Sequence, residues 1–247
     1  MNLFERIIRK KSWLERKQKQ KKEFREQFEL FKQQSSGRFQ LNWNEVVPYL
    51  NDSTANTGFD AHYVYHPAWA ARIVKQIAPA VHIDISSTLH FCTQLSAFIA
   101  VEFYDYRPAV LMLDNLVSKK ADLTHLYFDS NSVESISCMH TIEHIGLGRY
   151  GDPIDANGDI KAINELKRVI KPGGSLLFVA PVGKPKIVFN AHRIYDAADV
   201  VELFDGFLLK DFSLVKDNNE FISNCNISEA QSQQYGCGCF WFVKNNL

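Results

Sequence analysis

The stretch Val81-His-Ile-Asp-Ile-Ser-Ser-Thr88 opens the alternation that decides the fold. From Val81 onward short apolar runs alternate with helical stretches, the pattern of a parallel sheet covered on both faces by helices. The spacing predicts seven strands: Val81 to Ile85, Ala100 to Tyr104, Asp122 to Leu126, Ser135 to Met139, Ser175 to Ala180, Leu208 to Val215 and Cys239 to Val243. Between the fourth and fifth, a helix is expected from Asp159 to Ile170. It sets Ala162, Ile163, Leu166, Val169 and Ile170 on one face, and Lys171-Pro-Gly-Gly174 supplies the stop.

Upstream of this alternation the text is different. Phe39 to Pro79 scatters Trp43, Tyr63, Tyr65 and Trp69 among turn residues before a helical pattern from Pro67 to Ile77, and reads as a lid. From Asn2 to Gln34 there is no Pro or Gly, and Leu3, Phe4, Ile7 and Ile8, then Phe24, Phe28 and Phe31, give an amphipathic helix. The expected organisation is a basic helix over 1–36, a connecting lid over 37–80 and an α/β domain over 81–247. The helix should pack its Phe edge on the domain or on a second copy of the chain, as in a homodimer, or lie on an anionic membrane surface.

Composition narrows the class. With 247 residues, 46% apolar and 23% charged, the chain is globular, which excludes a disordered protein. Its 28 basic and 28 acidic residues are unevenly placed, residues 1–34 holding 11 basic against 5 acidic. A positive arm on an acidic remainder is not the patch of a nucleic-acid binder, so no nucleic-acid partner is expected. Five cysteines, an odd number with no C-x-x-C pair, argue against a disulfide framework and for a reducing cytoplasm. No run of 18 apolar residues is present to span a bilayer, which leaves association with a membrane surface as the alternative to a purely cytoplasmic location.

In an open parallel sheet ligands bind beyond the carboxyl ends of the strands. Those positions are polar here: Asp84-Ile-Ser-Ser-Thr88, Asp105-Tyr-Arg-Pro108, Ala121-Asp-Leu123 and His140-Thr-Ile-Glu-His144. Asp84 and Asp105 stand 21 residues apart, near the spacing that brings an acid to ribose hydroxyls.

The order of Ala121-Asp-Leu-Thr-His-Leu-Tyr-Phe-Asp, the helix ending Glu165-Leu-Lys-Arg-Val-Ile-Lys-Pro-Gly-Gly174, and a following strand resembles class I S-adenosylmethionine-dependent methyltransferases. More closely, His144-Ile-Gly-Leu-Gly-Arg-Tyr-Gly-Asp-Pro153 and Phe189-Asn-Ala-His-Arg-Ile-Tyr195 resemble the related family known as domain of unknown function 268. The resemblance implies a three-layer Rossmann-like fold with an antiparallel final strand, and S-adenosylmethionine as cofactor. It assigns Asp84, Ser86 and Ser87 to the first cofactor loop, Asp105 to the ribose, Asp122 and Leu123 to the adenine, and His140 to the same rim. The usual acid-x-Gly-x-Gly-x-Gly run has no glycine here, reading Asp84-Ile-Ser-Ser-Thr-Leu-His90, although a Cβ there crowds a cofactor.

Methyl transfer needs alignment, and a base when the acceptor is a hydroxyl. His144 is the expected base, with His192 second and Glu143 orienting an imidazole. Arg149 and Arg193, with Tyr150 and Asp152 beside them, are expected at a small anionic or hydroxylated acceptor, a glycan by the family's likeness to surface-glycan pathways. The equally plain reading has each arginine anchoring its own loop through Asp152 or Asp196. Two alternatives stand beside this one: a methyltransferase-like binding or assembly module for glycan biosynthesis that has lost the glycine loop, and a zinc hydrolase through His140-Thr-Ile-Glu-His144. That last motif lies at a strand exit with no third ligand marked downstream. Cys237-Gly-Cys239 places two thiols on one side of a strand and reads as a core-facing pair, with a metal pair as the lesser alternative, and no metal ligand is assigned.

Overall fold

The computed structural model describes residues 3–246 and divides between Gly58 and Phe59 into two compact units. The side chains of Leu3, Phe4 and Ile7, which the amphipathic pattern counts, lie outside the described residues.

In the first unit α1 spans Leu3–Gln34, supported by the i,i+4 pairs Lys19–Glu23, Lys22–Glu26 and Arg25–Glu29. Trp43, on a 3-10 turn over Trp43–Glu45, meets the rings of Phe24 and Phe28 at 6.0 and 4.9 Å, with the Arg25 guanidinium 3.9 Å from its face. Ile8, Trp13, Leu14, Leu30 and Phe31 stay exposed, while Phe24 and Phe28 are partly covered where Trp43 lies. Among the described residues no helix is long and apolar enough to cross a membrane.

The second unit begins with α2, Ala61–Ile77, so the expected lid is split: residues 37–58 go with α1 and 59–80 with the sheet. The helix starts six residues before Pro67 because the Asp60 carboxylate accepts the Tyr63 N–H at its first turn. The chain continues through β1 (Val81–Ile85), α3 (Leu89–Leu95), β2 (Ala100–Asp105), β3 (Leu116–Lys120), β4 (Val133–Met139), α4 (Gly158–Val169) and β5 (Ile170–Val182). A hairpin of β6 (Lys186–Val188) and β7 (His192–Ile194) precedes α5 (Ala197–Leu203), β8 (Phe207–Val215), β9 (Phe221–Ile222) and β10 (Gly236–Lys244).

The main sheet runs β3-β2-β1-β4-β5-β10-β8-β9, with β10 antiparallel between β5 and β8 as expected, and β9 adding an eighth strand. The third strand is not Asp122 to Leu126. The Asp122 carboxylate accepts the Thr124 N–H at 2.8 Å and its hydroxyl at 2.7 Å, a local turn that ends extension, and the strand lies earlier, at Leu116-Val-Ser-Lys-Lys120 on the sheet edge. Two apolar clusters fill the two faces, α2 and α3 with Trp69, Ile73, Phe91 and Leu95 on one side, α4 and α5 with Ile163, Leu166 and Val200 on the other. This is a three-layer α/β fold.

A polar chain crosses the centre of the sheet. Ser135 Oγ lies 2.8 Å from His82 Nδ1, His82 Nε2 lies 2.9 Å from Ser137 Oγ, and the Ser137 hydroxyl donates to Asp84. Because Ser137 gives its only proton to the carboxylate, His82 must donate from Nε2 and accept from Ser135 at Nδ1. Burial drives the His82 pKa down to about 3 and raises Asp84 to about 6.

Candidate functional site

The carboxyl ends of β1 to β4 surround three neighbouring cavities of about 650, 200 and 190 Å³, and Ser86, His144 and Tyr150 line all three. The largest is walled by Tyr63, His140, Arg149, His192 and Tyr235, the second by Asp122, Leu123 and Gly146, the third by Asp105 and Arg107.

The exit of β1 turns at Ser86, whose φ of 54° is left-handed. That is a conformation glycine takes without strain and that costs other residues about 1 kcal/mol. Its backbone N–H donates to the Tyr104 carbonyl at 2.8 Å, and the Ser87 N–H donates to Asp84 Oδ1 at 3.0 Å. Asp84 is therefore an inward anchor for the loop. It is wholly buried and lines none of the three cavities, contrary to the expectation that it faces the cofactor. Ser87 accepts the Met139 N–H at 3.1 Å, tying the loop to β4.

Asp105 accepts the Arg107 N–H at 2.7 Å and borders the 190 Å³ cavity, while Asp122 and the buried Leu123 border the 200 Å³ one. The segment carrying them is gripped by α4: Glu165 accepts the Leu126 N–H at 2.7 Å, and Arg168 donates to the Leu126 and Phe128 carbonyls at 2.6 and 2.8 Å. Of the three carboxylates expected on the rim, two are there.

Beyond β4 the chain makes a second left-handed turn at His140, φ 54°, then a 3-10 turn over Ile142–His144. His140 and His144 thus do not share a helix face as the metalloprotease motif requires. His140 donates from Nδ1 to Glu143 Oε1 at 2.9 Å. His144 donates from Nδ1 to the Ala191 carbonyl at 2.6 Å, leaving Nε2 with its lone pair 3.8 Å from Glu143 Oε1. Burial lowers the His144 pKa, and that of His192 too, so both imidazoles are neutral at pH 7.

The loop from His144 to Asn157 is shaped by Asp152, whose carboxylate accepts the N–H groups of Gly146, Gly148 and Tyr150 at 2.8, 3.3 and 3.1 Å. Asp152 acts as a loop anchor, and Gly146 is required beside it, since its φ is 79° and a Cβ would fall 2.0 Å from the Asp155 carbonyl oxygen. The Arg107 and Arg149 guanidiniums lie 4.7 and 5.1 Å from the Tyr150 ring. Arg149 also donates to the Ala191 carbonyl at 3.1 Å and lines the largest cavity. Arg193 does not reach an acceptor: it is buried, donates to the Ile145 carbonyl at 2.7 Å and pairs with Asp159 at 3.4 Å, because β7 turns it under the loop. Asp196 instead caps α5.

The sequence reading missed α2's contribution. Tyr63 lines the largest cavity, and His62 stacks on His140 at 5.4 Å with the planes 11° apart. The i,i+4 spacing of His62 and His66 on a helix is the available signal, hidden because Pro67 marks a helix start in the sequence while α2 begins at Ala61.

The strand order, the antiparallel β10 and the crevice at the strand ends define a Rossmann-like methyltransferase fold. A family model described as "Caenorhabditis protein of unknown function, DUF268" matches residues 104–236, more than half of the chain, and the chain belongs to that family. Among solved structures, the YcgJ protein of Bacillus subtilis is 13% identical with a TM-score of 0.52, covering 74% of this chain and 99% of its own. A candidate sarcosine dimethylglycine methyltransferase from Galdieria sulphuraria is 14% identical with a TM-score of 0.51, covering 72% of this chain and 85% of its own. No curated protein matches the sequence.

Proposed function

We propose that this chain is an S-adenosylmethionine-dependent methyltransferase acting on a small hydroxylated or anionic acceptor of the glycan class. The observation that carries the reading is Ser86. It holds a glycine-like left-handed turn and lines all three cavities, which supports a nucleotide-binding turn made without glycines. The residues can meet the cofactor's parts: Asp105 can accept from ribose hydroxyls, the 200 Å³ space bordered by Asp122 and Leu123 would take the adenine, and the adjoining 650 Å³ suits an acceptor. When bound, S-adenosylmethionine supplies an electrophilic methyl group on a sulfonium.

His144 Nε2 takes the proton of an acceptor hydroxyl, and the Glu143 carboxylate 3.8 Å away stabilises the imidazolium that results. The Nδ1 bond to Ala191 fixes the tautomer. Arg149 offers its guanidinium to an anionic group of the acceptor, and His192 and Tyr235, 4.9 Å apart, close the far wall.

Isothermal titration with S-adenosylmethionine and S-adenosylhomocysteine tests the reading, saturable heat at a single site being the expected result. No heat at millimolar cofactor from folded protein overturns it in favour of a glycan-binding or assembly module, a reading supported by the missing glycines. Replacing His144 with Gln is expected to lower turnover about 10²- to 10⁴-fold, the usual worth of a general base, with cofactor affinity unchanged; equal turnover would remove His144 from the role.

A further inference from the structure

Behind the largest cavity lies a cluster that methyl transfer does not use. His62 from α2, His140 from the β4 exit and Cys237 from the start of β10 place one potential ligand atom each within 4.8 Å of the others. Cys237 and His140 are buried and His62 is half-buried.

One imidazole of this cluster, and one beside it, have a nitrogen that the fold leaves without a partner. His140 donates from Nδ1 to Glu143, so Nε2 carries the lone pair, and that atom is buried without a hydrogen-bond partner. His66, ring 5.1 Å from His140, uses Nδ1 on the His62 carbonyl at 2.7 Å and has its Nε2 buried and unpartnered as well. A buried acceptor with no donor costs about 1 to 3 kcal/mol, so the His140 nitrogen calls for a ligand that takes electron pairs.

We propose that His62, His140 and Cys237 bind a divalent zinc ion, with the fourth tetrahedral position open. The donor set is that of zinc, borderline-soft and at home with imidazole and thiolate. Bond lengths of about 2.05 Å to nitrogen and 2.3 Å to sulfur put ligand atoms about 3.3 to 3.6 Å apart in a tetrahedron, so the trio closes by no more than about 1.5 Å on binding. The surroundings are those of a ligand set. The Glu143–His140 bond is the carboxylate–histidine contact that orients a metal-bound imidazole. The Cys239 sulfur lies 3.9 Å from that of Cys237 and can donate its S–H to a thiolate. On binding, the Cys237 thiol proton passes to the buffer and the sulfur lone pair to the ion. His140 also lines the 650 Å³ cavity, which sets the ion beside the acceptor space. The site differs from the HTIEH reading in its ligands, since His144 belongs to the cavity wall and two of the three donors come from elements distant in sequence.

The test uses the full chain prepared without an affinity tag, stripped with a chelator, incubated with zinc or cobalt and passed through a desalting column. The expected result is about one equivalent of zinc by elemental analysis, as for a protein-bound site, and a thiolate-to-cobalt charge-transfer band in the near ultraviolet. His62→Gln and Cys237→Ser should each lower zinc affinity at least about tenfold, with circular dichroism showing them folded, whereas Cys92→Ser should bind as the parent. Folded parent protein holding less than about 0.1 equivalent, a cobalt form without the sulfur band, or a His62→Gln variant binding like the parent overturns the site. None of these readouts involves S-adenosylmethionine, so the outcome is independent of the proposed methyl transfer.

Discussion

At the scale of single residues the site turns on backbone conformation that composition does not display. Ser86 was legible as a departure from a glycine-rich loop, but the left-handed φ that it shares with His140 follows from how β1 and β4 end, and side-chain identity gives no hint of it. Replacing Ser86 with Gly removes about 1 kcal/mol of left-handed cost and also the hydroxyl's 3.2 Å bond to the Tyr104 carbonyl. The variant is expected within about 0.5 kcal/mol of the parent in urea unfolding, and to bind S-adenosylhomocysteine more tightly by calorimetry, since a Cβ leaves the junction of the cavities. Weaker binding would show that the serine side chain helps hold the cofactor. Asp84 illustrates the opposite failing: it lies inside β1 and not beyond its end, and the two serines that turn it inward, Ser87 and Ser137, are 50 residues apart and meet only in the sheet.

At the scale of elements, periodicity located β1, β4, β5, β8, β10 and α4 well, because each is buried on at least one face and so carries a regular apolar pattern. It misplaced β3, an edge strand with three solvent-compatible residues in five. Arg168 on α4 gives a test of how elements position the site. It joins the Leu126 and Phe128 carbonyls and Glu165, and so holds the 121–128 segment that presents Asp122. Arg168→Leu is expected to lower stability by about 1 to 2 kcal/mol. It should also raise the KM for S-adenosylmethionine while leaving kcat near the parent value, measured by steady-state kinetics. A fall in kcat alone would place the defect at the acceptor instead.

For the whole molecule, the buried chain from Ser135 to Asp84 writes a pH signature on folding. Asp84 has its pKa raised to about 6 against 3.8 when unfolded, so between those values the folded form holds a proton that the unfolded form lacks. Stability from this group is full below pH 4 and is lost as pH rises through 6, a decline of roughly 3 kcal/mol at 1.36 kcal/mol per pKa unit. His82, lowered to about 3 from 6.5, works the other way: its contribution is full above pH 6.5 and is lost on acidification. The two slopes oppose each other between pH 4 and 6. Urea unfolding of the parent minus that of Asp84→Asn is expected to drop by the Asp84 amount between pH 4 and 6 and then stay level. A difference independent of pH would refute the buried carboxylate's role.

The antiparallel seat of β10 also shapes the birth of the protein. β5 ends at Val182, and its neighbour on one side begins only at Gly236, so a ribosome making 5 to 20 residues per second leaves that apolar edge bare for about 3 to 11 s. During that interval the nascent chain presents an open template for pairing with other chains, and shielding by a chaperone at the tunnel exit would matter most between these two points of synthesis.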